Sequence, residues 1–449
     1  MRRILPLLLT LLLSSTATAT IRYVATDGND TTGTGTITAP YASITKAALV
    51  VQPGDIVYVR GGVYYQQANI WTDGTATARV TYQAYPGELP IIDAVGQVDA
   101  SNNPANAVTL GGDYLDFIGF EIRNAPQIGI VGWGCHHVRV MNNTVHNSVR
   151  NGIWFGHDNF GRNYDNLITG NVIYNNVLEN QARSWPNGGW ATALGVFRAE
   201  RVTVSHNIVY RNYGEGIILG CDDCKAIGNE AFDNFSANIY ISHTQSSVVD
   251  GNLLYSTGDT NYYRNNHPAI GIGLANEDAP AAEVNPLNGN DITNNVIVRA
   301  MWGIGFWKDS EELDAHSMTN VRFANNVIYN ATLDAVHFDP DTNHSGVLVE
   351  NNSFHVMTTT AQLADVPTTA GITYRNNNWS ANPGAPAYSS TTDVIGTAGF
   401  VRAGGLNAED YKLTSTSALR GVGRTLTYGT KDYWLKSRSG TWDIGVHEY

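Results

Sequence analysis

The apolar positions of this chain fall into short alternating runs, and the runs recur. Gly152-Ile153-Trp154-Phe155, Gly216-Ile217-Ile218-Leu219, Asn238-Ile239-Tyr240-Ile241, Gly271-Ile272-Gly273-Leu274, Gly303-Ile304-Gly305-Phe306 and Ala335-Val336-His337-Phe338 share one pattern, with an apolar residue at every second place and a variable residue between. Period-two alternation marks a strand with one buried face. Each run is followed by a second signal, an Asn before an aliphatic pair. The aligned residues are Asn143, Asn171, Asn207, Asn229, Asn252, Asn295, Asn326 and Asn352, with gaps of 28, 36, 22, 23, 43, 31 and 26 residues. The two shortest gaps read as a bare repeat and the longer ones as the same repeat with an inserted loop, in the range of solenoids.

A coil with at least two short strands and an Asn at the bend predicts an all-β, parallel β-helix. Stacked coils lie about 4.8 Å apart, so an Asn repeated at one bend can pass an amide hydrogen bond from coil to coil. Asn also tolerates the left-handed backbone of a tight bend. These Asn residues are therefore expected to be structural. No helical pattern alternates with the strands, which argues against a horseshoe repeat.

The ends need covers. Ala42 to Val51 has helical spacing, with Ile44, Ala47, Ala48 and Val51 on one face, and predicts a short N-terminal capping helix. After about Ala381 the Asn signal stops, and a Ser-, Thr-, Gly- and Pro-rich stretch predicts an irregular C-terminal cap. The expected organisation is a signal peptide over 1–19, an N-terminal cap with the first coils over 20–105, coils over 106–381 and a cap of the same domain over 382–449. Arg2, Arg3, the apolar run Ile4–Leu13 and Ala17-Thr18-Ala19 carry the signal-peptide reading and predict a secreted protein. That run is too short to span a membrane.

Composition narrows the partners. The 449 residues carry a formal charge of −13, with 43% hydrophobic and 15% charged residues. A globular chain is implied, and a uniformly acidic surface excludes nucleic acid as a natural partner. It would also repel an acidic glycan away from local cations. Cys221-Asp222-Asp223-Cys224 has the spacing of a local disulfide across a turn; a zinc site would want a second matching pair, which the chain lacks.

The opening Tyr23-Val24-Ala25-Thr26-Asp27-Gly28-Asn29-Asp30, then Pro40-Tyr41-Ala42-Ser43-Ile44, Pro53-Gly54-Asp55-Ile56-Val57-Tyr58-Val59-Arg60-Gly61-Gly62-Val63-Tyr64 and the closing Asp443-Ile444-Gly445-Val446-His447-Glu448-Tyr449 resemble exported proteins of the pectate-lyase-like right-handed parallel β-helix superfamily. The resemblance spans nearly the whole mature chain. It implies the fold, and a function among polysaccharide lyases, glycoside hydrolases, epimerases and non-catalytic surface proteins. Two signatures are missing: the Asp-Asp-Gly-Phe-Asp calcium cluster of the pectate lyases and the Tyr-Gly-x-Asp-Pro-His motif of alginate epimerases.

Aligning the runs places the outward residues in columns. Trp154, Ile218, Tyr240, Gly273, Gly305 and His337 form one column. Gly156, Ser242, Ala275, Trp307 and Asp339 form the next. His157, Cys221, His243, Asn276, Lys308 and Pro340 stand at the strand ends, followed by Asp158, Asp222, Thr244, Glu277, Asp309 and Asp341. Aromatic faces suit sugar rings, and carboxylates and cations suit hydroxyls, metals and proton transfer. Trp154, His157, Tyr240, His243, Trp302, Trp307 and His337 are the expected substrate-binding residues. Glu277, Asp309, Asp339 and Asp341 form a carboxylate column suited to Ca2+, which takes several oxygens. The resemblance implies a β-elimination lyase acting on an acidic polysaccharide, with Lys308 as base and Arg198 as a second cation; Glu215 and Asp309 are further catalytic candidates from their place among the carboxylates. Pairs such as Glu215 with Asp222, or Glu277 with Asp309, would instead suit a glycoside hydrolase. A third class is a glycan-binding surface protein without catalysis. The bland alternative for each carboxylate is a turn cap. The protein is expected to be a monomer.

Overall fold

The computed structural model describes residues 19–183, 189–275, 287–308, 317–384 and 390–449. Its strands stack in parallel into three long sheets of 13, 12 and 13 strands. Each full coil contributes one strand to each sheet, as in Leu115–Ile118, Glu121–Arg123 and Ile130–Trp133. The coil is closed by bends, so every strand pairs with the equivalent strand one turn away. The result is a parallel β-helix with an apolar interior. Ile153, Phe155, Val196, Leu219, Ile241, Leu274, Phe306 and Phe338 point inward and are excluded from solvent.

The bend between the first and third sheets uses two adjacent residues with separate tasks. The left-handed position falls on the residue before the ladder Asn: Asn142, Gly170, His206, Gly228, Gly251, Asn294, Asn325 and Asn351 all have φ between 53° and 68°. This corrects the expectation that the ladder Asn itself adopts that conformation. The ladder Asn turns inward instead. From Asn143 to Asn171 (3.1 Å) through Asn229 to Asn252 (3.0 Å) to Asn326 and Asn352 (2.9 Å), each Nδ2 donates to the Oδ1 of the next coil, and Asn352 extends the chain to Asn377 (3.1 Å). The same Oδ1 accepts the backbone N–H of the preceding Asn, as Asn252 does from Asn229 at 2.9 Å. A buried bend thus satisfies its own polar groups.

The N-terminal helix spans Ile44–Ala48 and is shorter than its pattern predicts. Ser43 Oγ caps it by accepting the Lys46 N–H at 3.0 Å, and Asp30 holds Ser43 in turn. Ile44, Ala47, Ala48 and Val51 are buried, while Leu49 already faces solvent.

The C-terminal segment runs back along the flank of the last coils as well as over their end. Left-handed Asn residues anchor it. Asn351 exchanges two hydrogen bonds with the Arg424 backbone, Asn376 donates to Val422 O, and Asn294 accepts from Arg438. Tyr411 and Val446 pack with Tyr255, Val296 and Val327 on the outside of the third sheet. That face is therefore covered in its later coils. Among the described residues no helix is long and apolar enough to cross a membrane. The signal-peptide residues before Ala19 lie outside the described residues.

Candidate functional site

Long connections enter and leave the second sheet at the two ends of its strands. Residues 175–183, 189–193 and 256–269 lead into it from the third sheet, and 157–166, 287–290, 307–308 and 317–321 belong to the connections that leave it for the first. The first set is cross-braced. Trp190 Nε1 donates to both oxygens of Glu215 at 2.9 and 3.0 Å, and the Arg264 guanidinium lies 4.9 Å from the Trp190 ring. Arg183 donates to Thr260 O at 3.2 Å.

Pairing across the sheet puts Val131, Trp154, Gly195, Ile218, Tyr240, Gly273, Gly305, His337 and Asp365 in one outward column. Trp154 and His337 are six coils apart, about 29 Å along the axis. The glycines of this face let aromatic rings lie against the strand. A Cβ at Gly273 would stand 2.6 Å from Trp307, and one at Gly305 2.6 Å from Trp302. Trp307 is thereby stacked on Tyr240 at 5.1 Å, and Trp302 on His337 at 3.9 Å with a 5° tilt. Near the other end of the column Trp133 packs beside Trp154 (5.8 Å) and His157 (5.0 Å).

Lys308 follows the strand Trp302–Phe306 and is held from below. Its Nζ is 3.3 Å from Asp341 Oδ2, and Asp341 is nearly excluded from solvent. Asp341 also accepts the Asn343 N–H (2.7 Å) and the Ser317 hydroxyl (3.1 Å). Asp339 accepts the Lys308 backbone N–H at 3.0 Å and faces His337 Nε2 at 3.4 Å. Burial pushes both carboxyl groups up, but hydrogen bonds from these donors outweigh it and hold Asp339 and Asp341 below the usual carboxylate range. His337 Nδ1 lies 3.1 Å from Asp334 and 3.3 Å from Asp365. Burial disfavours its charge, yet hydrogen bonds to Asp334 and Asp339 prevail and raise its titration to about 9.

The structure groups some of the expected residues and separates others. Lys308, Asp339, Asp341, His337, Trp302, Trp307 and Tyr240 meet in one region. Arg198 stands four coils away, about 19 Å along the axis, where it donates to Asp158 O at 3.0 Å. Glu215 and Asp222 do not pair. Glu215 precedes the strand Ile217–Asp222 and Asp222 ends it, about 23 Å apart along an extended chain, with Glu215 on Trp190 and Asp222 accepting the Gln245 N–H at 3.0 Å. His243 is buried with its Nδ1 2.7 Å from the Ser242 hydroxyl, and His157 accepts the Asn159 N–H at 2.9 Å. Glu277 and Asp309 lie outside the described residues. The calcium column's other two members, Asp339 and Asp341, have their oxygens engaged by Lys308, His337, Ser317 and backbone N–H groups, an arrangement suited to positioning Lys308 and not to caging an ion. Cys221 and Cys224 are joined in a disulfide. Sequence reasoning missed Asp365, whose strand Gln362–Asp365 lacks the Gly-aliphatic marker, and the role of Asp334 as a partner of His337.

The model described as Pel9A-like, right handed beta helix region matches residues 22–352. The chain belongs to this family. Pectate lyase PEL9 of Emericella nidulans is 36% identical over 115 residues, which cover 23% of this chain and 28% of that protein. The chain thus matches little more than a quarter of that relative's length. Pectate lyase Pel9A has a similar fold, with TM-score 0.57 and 17% identity over 96% of this chain and 97% of that one. So does XylC in complex with xylose, with TM-score 0.64 and 12% identity over 95% and 98%. The lacto-N-biosidase of Eubacterium ramulus follows at 0.54 and 14% over 84% and 68%. At these identities the solved structures speak for the fold. Lys308, Asp339 and Asp341 fall inside the region matched by the Pel9A-like family, and Asp365 falls beyond it.

Proposed function

We propose that this protein is a secreted lyase that cleaves an acidic polysaccharide by β-elimination in the groove over the second sheet. The observation that carries the reading is the placement of Lys308. Its amine is held by buried Asp341 immediately after Trp307, which lies stacked on Tyr240. A basic group beside a flat aromatic surface is what removal of a proton from a bound sugar ring requires. Lys308 Nζ, as the neutral amine once its own proton has passed to solvent, takes the proton on the carbon next to the uronate carboxylate. The electron pair forms the carbon–carbon double bond, and the bond to the leaving glycosidic oxygen breaks, with that oxygen gaining a proton. The groove's length, from Trp154 to His337, suits a polymer. Arg198, His157 and Trp154 then serve distal sugars. The similarity to a pectate lyase supports the same class of substrate.

The test is incubation of the purified mature chain with polyuronates and neutral glycans, reading unsaturated ends by ultraviolet absorbance. Parallel arms contain calcium or a chelator, because Glu277 and Asp309 are the members of the carboxylate column left to hold that ion. Unsaturated products from a polyuronate are expected. Saturated products would point to a hydrolase, and binding without new ends to a glycan-binding protein; either result ends the lyase reading.

A further inference from the structure

Next to Lys308 is a constellation that the elimination does not use. Asp334 Oδ2 and Asp365 Oδ2 lie 3.1 and 3.3 Å from His337 Nδ1, and these atoms all fall within 4.8 Å of one another. Pairing fixes the set: His337 stands directly opposite Asp365 on the next coil, and Asp334 opens the strand that carries His337. Two observations go beyond a cluster of acids. Asp334 is only 2% exposed, and its second oxygen, Oδ1, is buried with no hydrogen-bond partner among the described residues. A carboxylate buried in that state is costly unless a cation completes it. The far nitrogen of the imidazole, Nε2, faces Asp339 Oδ1 at 3.4 Å, and the Lys308 backbone N–H fixes the other Asp339 oxygen at 3.0 Å. A carboxylate behind the second nitrogen is the usual support of a metal-bound histidine. Trp302, flat on the ring at 3.9 Å, sets its plane.

We propose that Asp334, His337 and Asp365 bind a divalent first-row transition cation, zinc or manganese. Ligand atoms about 2.1 Å from such an ion lie roughly 3.0 to 3.4 Å from each other; His337 Nδ1 stands at that separation from both carboxylates, which lie within 4.8 Å of each other. The imidazole nitrogen selects against calcium, which takes oxygen ligands. The ion takes the place of the Nδ1 proton, which passes to solvent. Asp365 lies on the solvent side, so the remaining coordination positions face the groove. The inference is independent of the lyase reading, because its test needs only the protein and the metal.

The full mature chain, freed of metal by chelator, is titrated calorimetrically with zinc and with manganese, and manganese is followed by electron paramagnetic resonance. One ion per chain is expected. Asp365→Asn and His337→Gln should weaken binding at least tenfold, with circular dichroism showing the fold kept; Asp365 is partly exposed, so its substitution leaves the core intact. Asp339→Asn, a positioning change, should weaken it by about 10- to 100-fold without changing stoichiometry. No uptake of either metal by the wild-type chain overturns the proposal, and so does binding that Asp365→Asn and His337→Gln leave unchanged.

Discussion

Replacing Asn252 by Ala isolates the amide ladder from the bend that carries it. Asn252 is fully buried. Its Oδ1 accepts from Asn229 N (2.9 Å) and Asn229 Nδ2 (3.0 Å), and its Nδ2 donates to Ala226 O (2.9 Å) and Asn295 Oδ1 (2.9 Å). Alanine leaves these partners buried without replacement, and at about 1 kcal/mol each the loss is roughly 4 kcal/mol. The neighbouring Gly251 provides the control. It has φ 65°, and a Cβ there would meet nothing within 4 Å. Gly251→Ala thus costs only the left-handed backbone of an L-residue, about 1 kcal/mol. Urea unfolding followed by tryptophan fluorescence should show the larger midpoint shift for Asn252→Ala, with equal slopes. Equal shifts for the two variants would refute the ladder's structural role.

Other consequences follow from the same geometry. His337 titrates near 9 in the folded chain against 6.5 as the ordinary value, a preference for the charged form worth about 3 kcal/mol at most. A raised value stabilises the fold fully below about 6.5 and progressively less as pH rises through 9. In chelator-treated samples, the stability gap between wild type and His337→Gln should narrow over that window; a constant gap contradicts the assignment. Glu215→Ala removes the acceptor of the Trp190 indole and should speed proteolysis of the 175–193 connection, whereas Glu215→Gln should protect it. Equal cleavage of the two would show that the bond does not brace the wall.

The β-helix was legible because its signals repeat. Eight Asn residues and six alternating runs agree on one coil, and period-two alternation correctly sorts Trp154, Tyr240, Gly273, Gly305 and His337 to the outward face. The left-handed position was misplaced by one residue because Asn suits both the ladder and the bend. The site was only partly legible. Distance along a solenoid counts coils, so Arg198 is far from Lys308 although both stand beside the same face. Glu215 and Asp222 sit seven positions apart, but an extended strand sends them to opposite walls. Asp341 was read as a metal ligand from its column alone; its bond from the Asn343 N–H is the local turn cap that spacing allows, whereas Ser317 and Lys308 come from elsewhere in the chain, where no spacing rule connects them. Asp365 carries no repeat marker, so only the pairing of its strand reveals it opposite His337.

The central claim is that Lys308 removes the proton in this groove, and the initial rate of unsaturated-end formation from a polyuronate in the Lys308→Ala variant tests it most directly. Loss of a general base costs about 10²- to 10⁴-fold, so the variant should fall in that range while Arg198→Ala, four coils away, keeps a measurable rate with weaker substrate binding. A Lys308→Ala protein that forms unsaturated ends at the wild-type rate would contradict the account.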